Sequence, residues 1–217
     1  MANDIDFINE ERRYWGKIYT DVAYAISEVS PFLPDEKLKI RKYYTKSSLL
    51  QEYIKLLDTE ESISKKKSLF SIFKSNSNVV LLQDFKSKNK DNFKQLEKCS
   101  NCQCLNCTFE CNFKSCSSCR SESLITTCDR EKVNVRKFDN FKLDLTNNDN
   151  GQSSTYRVLG LVEDCTLNNQ YILLENICNS DNKLVLYYYP GIKEDVFGEI
   201  TDIDEFDFVV ETYQVAH

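Results

Sequence analysis

Eight of the ten cysteines of this chain fall within EKCSNCQCLNCTFECNFKSCSSCRSESLITTC, residues 97–128. They are Cys99, Cys102, Cys104, Cys107, Cys111, Cys116, Cys119 and Cys128. No other stretch constrains the fold as strongly, because sulfurs this dense point to metal binding or to disulfides. The pairs 99/102, 104/107 and 116/119 share C-x2-C spacing. Two intervening residues let both thiolates turn onto one ion at about 2.3 Å. Four thiolates satisfy a tetrahedral zinc, so the eight cysteines are expected to hold two zinc ions. The preferred grouping puts Cys99, Cys102, Cys116 and Cys119 on one ion and Cys104, Cys107, Cys111 and Cys128 on the other. A sequential grouping, the first four and then the last four, is the alternative.

Two other outcomes compete. Disulfides require an oxidising compartment. The opening MANDIDFINEERRYW is acidic and lacks the apolar core of a secretory signal, so a cytoplasmic location is expected. Iron–sulfur ligation also uses sets of four cysteines, but the ferredoxin spacings are not matched. The large apolar residues between 99 and 128 are Leu105, Phe109, Phe113, Leu124 and Ile125. Metal must then supply much of the segment's folding free energy, on the order of 10 kcal/mol per structural site. All-cysteine ligation leaves no open coordination position, so these sites read as structural. Cys165 and Cys178 lie beside strand-like runs and read as buried thiols.

Absences narrow the chemistry further. The sole histidine is His217, and the five glycines form neither G-x-G-x-x-G nor a Gly-Lys-Ser/Thr loop. Imidazole-based triads and phosphate-cradling loops lose their residues. Asp202, Asp204, Glu205 and Asp207 are the available acid/base candidates, but their place at a helix start is explained by the helix dipole. No enzyme is expected. No apolar run approaches the ~20 residues that span a bilayer.

Net charge is −6 and unevenly distributed. Residues 62–98 carry nine Lys/Arg against three Asp/Glu, whereas residues 151–217 carry three against twelve. Lys65, Lys66, Lys67, Lys74, Lys86, Lys88 and Lys90 are therefore candidates for phosphate contacts, joined by Lys114, Arg120, Arg130, Lys132, Arg136 and Lys137. Solvation and solubility explain the same distribution without a nucleic acid.

Periodicity places the elements. Ile8, Trp15, Ile18, Val22, Ile26 and Val29 recur at helical spacing over 4–30, and Pro31 stops the helix. A second helix is expected from Pro34 and a third over SSLLQEYIKLLD. NVVLLQDF offers one short apolar element, and DFKSKNKDNFKQLEK reads as a polar approach to the cysteines. Beyond them the period becomes two: KVNVRKFDNFKLDL, TYRVLGLVED, QYILLEN and NKLVLYYYP read as strands. TDIDEFDFVVETY closes the chain as a helix with Thr201 as N-cap and a stripe of Ile203, Phe206, Val210 and Tyr213. The expected class is α+β: a helical domain at 1–61, a basic connecting segment at 62–98, a cysteine-rich zinc-knuckle module at 99–130, and an acidic β domain with a terminal helix at 131–217.

The order Y-x-V-L, YILLEN, LVLYYYP, FGEITDIDEFDFVVETY resembles a family of small acidic domains of uncharacterised function found in Firmicutes. The resemblance implies a fold of short strands closed by an acidic helix, and it carries no activity. The expected function is that of a non-enzymatic, zinc-stabilised interaction or adaptor protein with a protein partner. A phage or mobile-element protein that binds and modulates a host protein machine has this profile. A zinc protein that binds nucleic acid through 62–98 is the alternative.

Overall fold

Apolar residues at helical spacing draw the first hundred residues into five helices. They are α1 (Asp4–Val29), α2 (Asp35–Thr45), α3 (Ser47–Phe70), α4 (Ser77–Lys88) and α5 (Lys90–Asn101). The computed structural model describes residues 4–70, 77–109, 113, 123–148 and 150–216. The chain is mixed α+β and divides into two compact units, Met1–Asn101 and Cys102–His217.

In the helical unit, α1 buries Ile8, Trp15, Ile18, Val22, Ala25 and Val29. Leu50, Tyr53 and Leu57 of α3 and Phe93 and Leu96 of α5 complete the core. Each fully buried side chain of this size contributes about 1.5–3 kcal/mol relative to exposure. Polar staples tie the helices at the margin. Glu11 accepts from Tyr53 Oη at 2.6 Å and from Lys86 Nζ at 3.0 Å, joining α1, α3 and α4. Tyr14 Oη donates to Glu97 at 2.8 Å, joining α1 and α5. Pro34 stands at the N-cap of α2, and Lys46, left-handed at φ 42°, ends it.

The connecting segment expected at 62–98 carries helices over its described residues. They run through the end of α3, α4 and α5 within the helical unit. The polar surface of DFKSKNKDNFKQLEK hid the apolar positions Phe93 and Leu96, which α5 turns into the core.

The second unit is an antiparallel sheet of β1 (Ser123–Cys128), β2 (Val133–Phe138), β3 (Lys142–Thr146), β4 (Ser153–Asp164), β5 (Asn169–Asn176), β6 (Asn179–Tyr189) and β7 (Val196–Glu199), followed by α6 (Ile203–Val215). The order β1-β2-β4-β5-β6-β7 is a meander. β2 and β3 share one side of the long β4: β2 pairs with residues 160–164 and β3 with residues 153–157. Asn140, at φ 56°, bends the chain between them. Alternation sends Val135, Val162, Tyr171 and Leu173 to the face covered by α6. Tyr156, Val158, Leu161, Ile172, Leu174 and Tyr188 form the core of the opposite face.

The terminal helix is fastened by polar contacts as well. Glu205 accepts from both Tyr171 and Tyr187, and Asn169 Nδ2 adds a third bond at 3.3 Å. Burial first, then the Glu205 bond, pushes the Tyr171 phenol up. The Glu205 bond is the main cause that raises Tyr187 to about 12. The helix begins one residue later than the sequence implies. Asp202, not Thr201, is the N-cap, and its carboxylate accepts the Glu205 amide at 3.1 Å. Gly160 is where α6 meets the sheet most closely. A Cβ there would lie 2.7 Å from the Tyr213 ring and 2.8 Å from the Arg136 carbonyl oxygen.

Candidate metal centre

The described cysteines of the dense segment occupy three environments. Cys99 lies inside α5 and is buried in the helical unit. Gln95 Nε2 donates to its sulfur at 3.3 Å, and the sulfur contacts the Tyr44 carbonyl oxygen at 3.6 Å. Cys102, Cys104 and Cys107 lie on a tight turn, closed by Leu105 N–H to Cys102 O at 3.0 Å and Cys107 N–H to Cys104 O at 3.3 Å. Cys128 ends β1, and its sulfur accepts the Arg130 amide at 3.3 Å.

The turn is attached to the edge of the sheet. Gln103 donates its backbone N–H to Ile125 O and its side-chain amide to Cys128 O, both at 3.2 Å. Cys102 is the chemically distinctive sulfur. The Cys104 thiol, the Cys104 amide and the Ile125 amide all hydrogen-bond to it, and Arg136 adds positive charge. These overcome burial and bring its thiol down to about 6. Arg136 is only 2% exposed and reaches Ser123 Oγ at 3.3 Å. A guanidinium buried this deeply calls for anionic neighbours, and the Cys102 sulfur, whose pKa it helps to lower, lies near it.

The β1–β2 hairpin holds Cys128 in place. Asp129 Oδ1 accepts the amides of Glu131, Lys132 and Val133, each at 2.9 Å. Arg130 adopts φ 69° and stacks its guanidinium 4.8 Å from the Phe109 ring. Phe113 is buried.

No family model, curated protein or solved structure matches this chain. Its chemistry therefore has to be read from its own residues. Among the described residues, no group of three or more His, Cys, Asp or Glu is placed to hold a metal ion. Cys111, Cys116 and Cys119 lie outside the described residues. No disulfide joins any two of the described cysteines. The preferred grouping assigned Cys102 and Cys104 to different ions, yet the structure makes them hydrogen-bonded neighbours. Cys99, assigned to the same ion as Cys102, is engaged by Gln95 and Tyr44 inside the helical unit. Of the 99–130 stretch, Cys99 lies within α5 and Cys128 ends β1. Cys165 and Cys178 are not buried thiols: both follow strand ends, Cys165 half-buried with its thiol on Glu131 O at 2.9 Å, Cys178 exposed.

The described basic residues proposed for phosphate contacts fall in both units. Lys86 is tied to Glu11, and Lys88 pairs with Asp84 at 2.7 Å. Lys90, the first residue of α5, is exposed. Lys65, Lys66 and Lys67 lie in α3, and Lys74 falls outside the described residues, as do Lys114 and Arg120. In the β unit Lys132 faces the buried Asp164 at 3.4 Å and the Phe208 ring, and Lys137 donates to Ala216 O at 3.0 Å. Arg130 and Arg136 are also engaged.

Sequence reasoning passed over the polar row beneath the cysteine turn. Asn134 and Arg136 alternate with Val133 and Val135, a pattern that ordinarily marks a solvent face. Both are buried, and Asn134 Nδ2 donates to Glu163 across the β2–β4 pair at 3.3 Å. No feature of the local sequence announces this. Among the described residues, no helix is long and apolar enough to cross a membrane.

Proposed function

We propose that the chain is a non-enzymatic interaction protein whose cysteine-rich segment binds zinc as structural staples. The observation that supports this best is the hydrogen-bonded Cys102–Cys104 pair on the β1 edge beside buried Arg136. Four thiolates around one zinc carry a net charge of −2, and a buried guanidinium offsets part of it. The remaining cysteines of the segment complete the coordination, with two zinc ions per chain as the expected load. Saturated thiolate coordination leaves no water on the metal, so the staples organise surface and do not turn over substrate. The partner is a protein. A phage or mobile-element protein acting on a host machine fits the reading, and the engaged Lys86, Lys88, Lys132 and Lys137 leave nucleic acid less to bind.

The test is native mass spectrometry with elemental analysis on protein purified reduced and without chelator. Two zinc ions per chain are expected, with Cys102→Ser and Cys104→Ser each losing metal. Cys99→Ser should retain the ion held by Cys102 and Cys104. A metal-free chain with intact thiols, or one crosslinked by disulfides, contradicts the reading.

A further inference from the structure

The terminal helix α6 has two apolar faces, and the sheet uses only one. Phe208, Val209, Tyr213 and Ala216 pack on Val135, Val162, Tyr171 and Leu173. The face is fixed by Glu205, which Tyr171 and Tyr187 hold from the sheet side. The stripe expected to be core, Ile203, Phe206, Val210 and Tyr213, turns only Tyr213 fully onto this face. Ile203 is 75% exposed and Phe206 37%, while Val209 is completely buried. Ile203, Phe206 and Val210 keep the i, i+3, i+7 spacing by which amphipathic helices present anchors to one another.

The charge of this stretch of chain is of one sign, and the cations that reach α6 from the sheet, Lys132 at the Phe208 ring and Lys137 at Ala216 O, meet residues packed on the sheet. Residues 194–216 hold eight Asp/Glu and no Lys or Arg. By helical geometry Asp204, Asp207 and Glu211 line one flank of the stripe, and all three are exposed. A second copy of the same helix would set acid row against acid row, and an anionic bilayer or a nucleic acid would be repelled likewise. The complementary object is a helix with apolar anchors and a row of Lys or Arg beside them.

We propose that the outer face of α6, centred on Ile203, Phe206 and Val210, docks a basic amphipathic helix of a partner protein. This deepens the interaction-protein reading and rests on it. Apolar anchors set the register, and the acidic flank steers and orients the approach.

The experiment uses the full zinc-loaded chain and a fluorescent lysine- and leucine-rich amphipathic helical peptide, read by anisotropy. Two control peptides replace every lysine by glutamate or every leucine by serine. The lysine–leucine peptide should bind, the controls should bind about tenfold or more weaker, and about 0.5 M salt should weaken binding strongly. Ile203→Ser with Phe206→Ser should abolish binding. That double variant leaves the sheet-facing side of α6 intact, which an unchanged thermal melt verifies. Phe32→Ser, on an exposed residue of the helical unit, should bind as the parent does.

Absence of binding, equal binding of the glutamate peptide, or full binding by the Ile203/Phe206 variant overturns the proposal. So does a concentration-dependent dimer that the double variant abolishes, because the occupant is then a second copy. Binding that survives in the double variant but is lost with Phe32→Ser removes the α6 site while leaving the general reading in place. The metal measurement tests that general reading independently.

Discussion

The helical unit and the β unit manage their polar groups differently. In the helical unit Thr45, Gln95 and Lys98 are buried, but the staples between helices stand at the margin of an apolar core, as when Glu11 takes both the Tyr53 hydroxyl and the Lys86 ammonium. In the β unit Asn134, Arg136, Glu163 and Asp164 lie buried within the sheet, and the cysteine turn adjoins Arg136. The contrast teaches where each unit's stability resides. Apolar periodicity is sufficient for five helices. The turn at one edge of the sheet contributes few apolar side chains.

The largest effect should come from the helical core. Leu57 is fully buried, so Leu57→Ala should cost about 2–5 kcal/mol in urea-induced unfolding. Hydrogen exchange should rise across α1 and α3. A change confined to the sheet would break the comparison.

Next is the closest approach in the β unit. Gly160→Ala sets a methyl against the Tyr213 ring and the Arg136 carbonyl. The ring can rotate but the strand cannot move without disturbing β2. The expected loss is about 1–3 kcal/mol, with the increase in exchange greatest in α6 and β4. No change in stability would mean that α6 is loosely seated.

A smaller effect sharpens the role of Glu205. Its hydrogen bond raises the Tyr187 phenol to about 12, and burial with the same carboxylate raises Tyr171. A raised folded value means the contribution is intact below the ordinary tyrosine range, about 10, and fades as pH climbs from there through 12. Thermal melts should therefore fall across that alkaline window, and Tyr187→Phe should flatten the fall. An identical slope in the variant would remove Tyr187 as its source.

Much of this architecture was legible beforehand, and the misses have physical causes. The first helix announced itself through Ile8, Trp15, Ile18 and Val22, with Pro31 as its stop. Alternation marked β2 through β6. The strands β1 and β7 went unseen because SLITTC was absorbed in the cysteine count and VFGE is only four residues long. The apolar stripe of α6 pointed to the wrong face because that helix carries two, and only the sheet's residues decide between them. At the candidate metal centre, spacing identified the sulfurs, but which of them are neighbours depended on contacts far away in sequence. Cys102 is set by Ile125 and Arg136, and Cys99 by Tyr44.

The central claim is that zinc, held by thiolates, fastens the cysteine turn to the edge of the sheet. Hydrogen exchange on the native reduced chain, before and after chelation, tests it most directly. Metal removal should release two zinc ions and sharply raise exchange at Gln103 and Ile125, leaving α1 and α3 unchanged. A chain whose exchange is indifferent to chelator, or whose sulfurs prove to be joined to each other, would contradict it.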